Sequence, residues 1–298
     1  MNIPKETRWN ATFSRVALYA ILLLFVGFYL LPIEAGLVTS LKTNQAVTQT
    51  EPYLPPTLAG FTLESWLQAF ELLKNGLINS FAFAIPATVI SALLGSMAAY
   101  GLTHTKWRGQ ALVLAFFIAG IFIPIQAALI PLSKFWSVYV PLNDLLSFVW
   151  QLPLLEPHHA DLLEIIITHI GYGIPICVLL FRSYYKGIST ELIEAARLDG
   201  ASVTTIYRRI VLPLSWPMFV VTFIYQFTGI WNDLLFALIL VSSSNSPAAP
   251  ITLILAGLGE SLTGVNFPLR MAGAFITSIP TLLVYILFGE QFARGVAT

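Results

Sequence analysis

The sequence predicts an all-α integral membrane protein of about six spanning helices, and three observations predict it. Of 298 residues, 57% are hydrophobic and only 10% are charged, far below the roughly 25% charged residues of soluble domains. Several apolar stretches exceed the roughly 18 to 20 residues that cross a bilayer as a helix. Lysine and arginine are shared unevenly between alternate loops, which orients the spans.

The predicted spans are 16–37, 77–102, 111–132, 165–181, 214–241 and 271–289. The first follows Lys5, Arg8 and Arg15 as a signal peptide would. Its apolar run is long, however, and passes through Leu31, Pro32, Ile33 and Glu34 without a small-residue cleavage site, so it reads as a span. Segments 142–155 and 251–258 are too short or too interrupted to cross, and suit re-entrant or interfacial pieces. The whole of 1–298 reads as one transmembrane domain with external loops at 41–74, 133–164 and 242–270 and its longest cytoplasmic loop at 182–213.

Orientation follows from the loop charges. With both termini cytoplasmic, Lys5, Arg8, Arg15, Lys106, Arg108, Arg182, Lys186, Arg197, Arg208, Arg209 and Arg294 lie inside. Lys42, Lys74, Lys134 and Arg270 are left outside, eleven against four. Prolines sit in or at the edge of every span: Pro32, Pro86, Pro124, Pro131, Pro175, Pro217 and Pro280. Each frees a backbone carbonyl, which lipid tolerates only where other helices, hydroxyls or water satisfy it; prolines are also simply commoner in membrane helices. Ala92, Gly95, Ser96 and Ala99 recur at helical spacing as small residues do at a close helix contact. The lone cysteine, Cys177, reads as a small buried hydrophobe. Zero net charge and the absence of any charged run give no nucleic-acid surface.

The cytoplasmic loop parses as two short helices. Ser189 or Thr190 caps the first, Glu191 and Glu194 lie in its early turns where the helix dipole favours anions, and Gly200 suits a left-handed stop after Asp199. Ser202 caps the second, whose Val203, Ile206, Tyr207 and Ile210 share one face. Ala195 and Ala196 leave a shallow flank on which a partner's groove could close. Periodicity alone equally describes an amphipathic loop resting on its own bundle or on lipid headgroups.

The run Glu194-Ala195-Ala196, three residues, Gly200, nine residues, then Ile210-Val211-Leu212-Pro213 resembles the EAA signature of permeases from binding-protein-dependent ABC importers. Further segments are similar to the carbohydrate branch of that family, the shorter maltose-permease-like subunits: FIPIQAALIPL (122–132), GYGIPICVLLFRSYY (171–185), LPLSWP (212–217), QFTGIWNDLLFAL (226–238) and SIPTLLVYILFGEQFARGV (278–296). Within it, IWNDLLFAL looks closest to permeases for glucose, mannose or related sugars. The chain departs from the pattern at 145–164, which looks inserted, and at a C-terminus that stops short of the usual tail.

The resemblance implies a type I ABC importer permease fold in a prokaryotic plasma (inner) membrane. It implies that Glu191, Glu194, Ala195, Ala196, Arg197, Asp199 and Gly200 form a coupling helix docking on an ATPase subunit. The implied partners are a second permease subunit, two ATPase subunits that use ATP and Mg, and an external sugar-binding protein. This chain itself would bind no cofactor: it has no Gly-Lys pair and so no G-x-x-x-x-G-K-[ST] phosphate loop.

A sugar path needs polar groups at membrane depth. Thr222, Gln226, Gly229 and Asp233 fall on one stripe of the fifth span, with Trp231 and Asn232 beside it. Trp231 is the expected stacking face, and Asn232 and Asp233 the expected hydroxyl partners. Asp233 reads equally as a packing or interface anchor at the outer end. His158, His159, Asp161, Glu164 and His169 could be drawn as a metal site, but adjacent His158 and His159 should point apart, and a solvated loop is the expectation. Other solutes (an oligosaccharide, a polyol, glycerol phosphate) and other classes (a secondary carrier, an intramembrane enzyme) fit less well. No internal repeat persuades, no Lys or Arg lies deep in a span, and neither His104 nor His169 has a serine on an obvious common face.

Overall fold

A computed structural model describes residues 5–241, 243–261 and 264–296; Ala297 and Thr298 of the short tail lie outside the described residues. The helices are α1 (Lys5–Ser40), α2 (Asn44–Gln49), α3 (Glu64–His104), α4 (Gln110–Ile121), α5 (Ile125–Lys134), α6 (Leu142–Leu145) and α7 (His159–Tyr185). They continue as α8 (Thr190–Leu198), α9 (Val203–Ile206), α10 (Leu212–Leu214), α11 (Trp216–Trp231), α12 (Leu235–Leu240), α13 (Ile251–Gly257) and α14 (Phe267–Val296). Strands β1 (Glu260–Ser261) and β2 (Gly264–Val265) pair antiparallel before α14.

Among the described residues four helices are long and apolar enough to cross a membrane: Ser14–Ser40, Glu64–His104, His159–Tyr185 and Phe267–Gln291. The number rises to six if each of two bent pairs is one span. The four correspond to the first, second, fourth and last predicted spans, and Pro32, Pro86, Pro175 and Pro280 lie inside them without ending them.

The other two spans are not the straight rods the sequence predicts. The third breaks at 122–124, and its two parts meet at 97°. Pro124 caps α5 there and has no N–H to continue a helix. The fifth turns by 73° at Ser215 between Val203–Leu214 and α11, in a stretch bracketed by Pro213 and Pro217. It stops again at 232–234, where Asn232 donates to the Thr228 carbonyl at 2.9 Å and Asp233 Oδ2 accepts from Phe236 N at 3.0 Å, which caps α12. Predicted loops also hold helix: α6 lies in 133–164, and α13 is the predicted 251–258 piece.

The chain divides into two compact units. The first joins residues 1–72 to 258–276. In it Trp66 stacks on Phe275 with centroids 6.1 Å apart and donates through Nε1 to Ser40 Oγ at 3.1 Å. Lys42 is fully buried, its ammonium satisfied by the Glu51 carbonyl at 2.6 Å.

The second joins 73–257 to 277–298 and is organised on α7, against which α4, α6, α11 and α12 pack. The small residues of α3 form the close contact read from their spacing. Ala92, Ser96 and Ala99 are buried, and a Cβ on Gly95 would lie 2.3 Å from Cys177 Cβ. Only glycine lets the two backbones approach so closely.

Candidate functional site

Two parts of the second unit carry functional chemistry, one at the C-terminal end of α7 and one midway along it. At its C-terminal end the loop is the predicted pair of helices. Ser189 accepts from Leu192 N and caps α8; Ser202 accepts from Thr205 N and caps α9. α8 ends in a full Schellman motif: Gly200 N donates to the Arg197 carbonyl at 3.0 Å and Ala201 N to the Ala196 carbonyl at 2.9 Å. Gly200 stands at φ +79, in the left-handed region that a Cβ disfavours. Ala196 and Ala201, the ends of that motif, pack against the bundle.

One residue of α8, Ile193, is buried, while Glu191, Glu194, Ala195, Arg197, Asp199 and Gly200 are exposed. Leu198 is 89% exposed, an uncovered apolar side chain that the loop's periodicity does not single out. The Ser189 hydroxyl donates to Glu191 at 2.5 Å and holds that carboxyl below its usual range.

The hairpin is bolted to the bundle by polar groups. Ser96 Oγ of α3 shares hydrogen bonds with Tyr185 OH at 2.5 Å and Tyr207 OH at 2.8 Å, all three buried. Tyr100 OH donates to the Val203 carbonyl at 3.2 Å, Tyr184 OH to the Leu214 carbonyl at 2.8 Å, and Arg197 to the His104 carbonyl. The buried face differs from the predicted one: Ile206, Tyr207 and Val211 are buried, Val203 is 49% exposed and Ile210 only partly covered. Residues 207–211 form a π-turn, whose extra residue advances the face from 210 to 211.

Midway along α7 the broken fifth span opens a cavity of about 490 Å³. Gln226, Gly229 and Asp233 of the predicted stripe line it, whereas Thr222 is wholly buried outside the lining. Trp231 is not the stacking face expected. It is fully buried, its Nε1 donating to the Thr277 carbonyl at 2.9 Å and its ring packed against those of Phe81 and Phe227. Asn232 is exposed, outside the lining, and bound to its own helix.

The lining also holds His169, Tyr172, Tyr225, Thr228 and Tyr285, none of which the stripe included. Tyr225, Thr228 and Gly229 stand at i, i+3 and i+4, so a face rotated by one residue would have found two of them. His169 Nε2 lies 3.7 Å from Asp233 Oδ2, both side chains below 10% exposed, and its ring stacks on Phe83. Gly173 gives Gln226 its room, since a Cβ there would fall 2.0 Å from the amide nitrogen.

The imagined metal cluster is dispersed. His158 and His159 do not point apart, for their rings lie 4.2 Å from centroid to centroid, and His169 is ten residues further along α7. Among the described residues no group of three or more His, Cys, Asp or Glu is placed to hold a metal ion.

With this geometry established, comparison with known proteins is direct. Residues 91–297 match the family described as the inner membrane component of binding-protein-dependent transport systems. The chain belongs to that family. The permease is 50% identical over 290 residues to the xylose/arabinose import permease protein XacI of Haloferax volcanii, covering 97% of this chain and 94% of that protein. It is 40% identical over 286 residues to a probable ABC transporter permease protein of Pyrococcus horikoshii, covering 95% of each. Its fold is shared with a crystal structure of a bacterial ABC transporter involved in the import of alginate, at TM-score 0.69 and 19% identity over 98% of this chain and 99% of that one. The permease is thus a non-catalytic, multi-pass subunit of the prokaryotic inner membrane, and ATP hydrolysis belongs to separate subunits of the transporter.

Proposed function

We propose that the permease forms half of the pathway of an ATP-driven sugar importer, and that the α8–α9 hairpin is the part its ATPase partner grips. The carrying observation is the hairpin itself. Its inner face is fixed to α3 and α7 by buried tyrosines, and its outer face, with Glu194, Ala195, Leu198 and Gly200, is uncovered. A lever needs both properties.

In this reading the termini and hairpin are cytoplasmic, which the eleven-to-four division of Lys and Arg supports. Partner subunits bind ATP and Mg, a second permease completes the channel, and an external binding protein delivers the sugar. The sugar reading is supported by relatives named for sugar import, xylose/arabinose among them, and by the carboxylate, amide and hydroxyl groups that interrupt an otherwise largely apolar cavity lining.

The test is reconstitution with the ATPases and the binding protein. Gly200→Asp places a Cβ at positive φ, costing about 1 to 2 kcal/mol, and Glu194→Lys reverses a charge on the exposed face. Each is expected to abolish ATP-driven uptake while the protein still inserts in the membrane. Normal uptake by both variants refutes the coupling role.

A further inference from the structure

A groove of about 410 Å³ is cut into the second unit between α3, α11 and α14. Val89, Leu93, Trp216, Phe219, Phe223 and Phe288 line it, and every lining side chain is aliphatic or aromatic. Its floor is built in advance. Phe219 packs on Phe181 with centroids 4.6 Å apart, and Phe223 on Phe227 at 5.6 Å and on Phe288 at 6.4 Å. Val89, Leu93 and Trp216 stay exposed beside it. Such a surface is left open only to an apolar neighbour.

In a bilayer that neighbour is an acyl chain or a helix of another subunit, and length separates the two. From Trp216 to Phe223 is roughly 10 Å of helix. One leaflet supplies roughly 15 Å of hydrocarbon, whereas a spanning helix presents roughly 30 Å. The groove starts beside the bend at Ser215 and ends within a single leaflet, which fits a lipid chain.

Charge then chooses the headgroup. Residues 203–214 turn 73° away from α11, so where α11 crosses the bilayer they run close to its surface. Tyr207 and Val211 of that arm are buried, and Arg208 and Arg209 are exposed. Among the described residues neither guanidinium is in an ion pair. The chain has no Asp or Glu between Asp199 and Asp233. On α14, Glu290 follows Phe288 by two residues, which turns it to the far side of that helix. Two free cations and a tryptophan 69% exposed at the head of an apolar groove match a phosphate above a hydrocarbon chain. Tryptophan favours headgroup level, and basic pockets between spans take anionic headgroups.

We propose that the groove holds one acyl chain of an anionic phospholipid whose phosphate is bound by Arg208 and Arg209. The site requires only that α11 crosses the membrane, so it stands apart from the import reading.

The test reconstitutes the complete transporter in dioleoylphosphatidylcholine vesicles with a trace of phosphatidylglycerol carrying a photoactivatable diazirine on its acyl chain. After illumination, peptide mass spectrometry is expected to find the adduct on 216–223 of α11 or 89–93 of α3. Unlabelled phosphatidylglycerol should displace the probe about ten-fold better than added phosphatidylcholine does. Replacing both arginines (Arg208→Gln with Arg209→Gln) should lower the adduct about ten-fold, as the loss of two surface cations does. Arg108→Gln, an exposed arginine of another loop, should leave it unchanged. Leu93→Trp, which fills the groove and spares both arginines, should remove it.

An adduct that survives the double substitution, or falls equally with Arg108→Gln, overturns the headgroup site. Equal displacement by phosphatidylcholine overturns the selection of an anionic lipid. Labelling that avoids the groove while its peptides cross-link to the second permease shows that a protein helix fills it, and the proposal falls.

Discussion

The two ends of the working part of α7 are built in opposite ways. Tyr185 stands sixteen residues after His169, roughly 24 Å of helix. At the Tyr185 end a knot of buried hydroxyls ties the hairpin to the bundle: Ser96 joins Tyr185 and Tyr207, and the capped hairpin ends in a complete Schellman motif, while His104 Nε2 and Arg182 Nε are buried there without a partner. At the His169 end helices are broken, a threonine hydroxyl is unpartnered and two tyrosines stay exposed. Cross-linking hydrogen bonds between elements suit a part that must transmit force without yielding. A lining with exposed rings and no such cross-links suits a part past which a solute moves.

The comparison can be broken most forcefully at the contact that holds α3 to α7. Gly95→Val drives a Cβ into Cys177 and the 177–178 backbone and should destabilise the protein by about 3 kcal/mol. Gly171→Ala, with open space around it, should stay within about 0.5 kcal/mol. Thermal unfolding of the detergent-solubilised transporter reads both, and equal effects would mean that the helices do not touch as described.

A smaller loss tests the hydroxyl knot. Ser96→Ala leaves the hydroxyls of Tyr185 and Tyr207 each short of a buried partner and should cost about 1 to 3 kcal/mol. Combining it with Tyr207→Phe should be less than additive, and strict additivity in a double-mutant cycle would show the knot is not one unit.

The smallest effect lies on the exposed face. Ser189 lowers the Glu191 carboxyl from its ordinary 4.5, so the bond adds stability that is present above that pH and is lost as pH falls through the lowered value. Ser189→Ala should raise the Glu191 titration midpoint towards 4.5, read by NMR of isotope-labelled glutamate carboxyls. A midpoint unchanged by the substitution would place Glu191 under some other control.

Much of the coupling end was legible in the residues, because its rules are local. Ser189, Gly200 and Ser202 act within one turn of their own chain, through capping and a positive φ. The π-turn at 207–211 was not legible, since its extra residue moves the buried face from Ile210 to Val211 only in the context of the helices beneath. At the cavity, the stripe placed Gln226, Gly229 and Asp233 on the lining. It erred with Trp231, whose burial depends on Phe81 and on the Thr277 carbonyl, far away in sequence.

The sequence by itself determined the membrane setting, the small-residue contact of α3 and the caps and glycine stop of the hairpin. Each depends on hydrophobicity or on conformational preferences that act over a few residues. Tertiary structure alone decided which aromatic rings face the cavity and that His169 meets Asp233. Those outcomes depend on which distant helix fills the neighbouring space, and periodicity within a single helix carries no information about its neighbour.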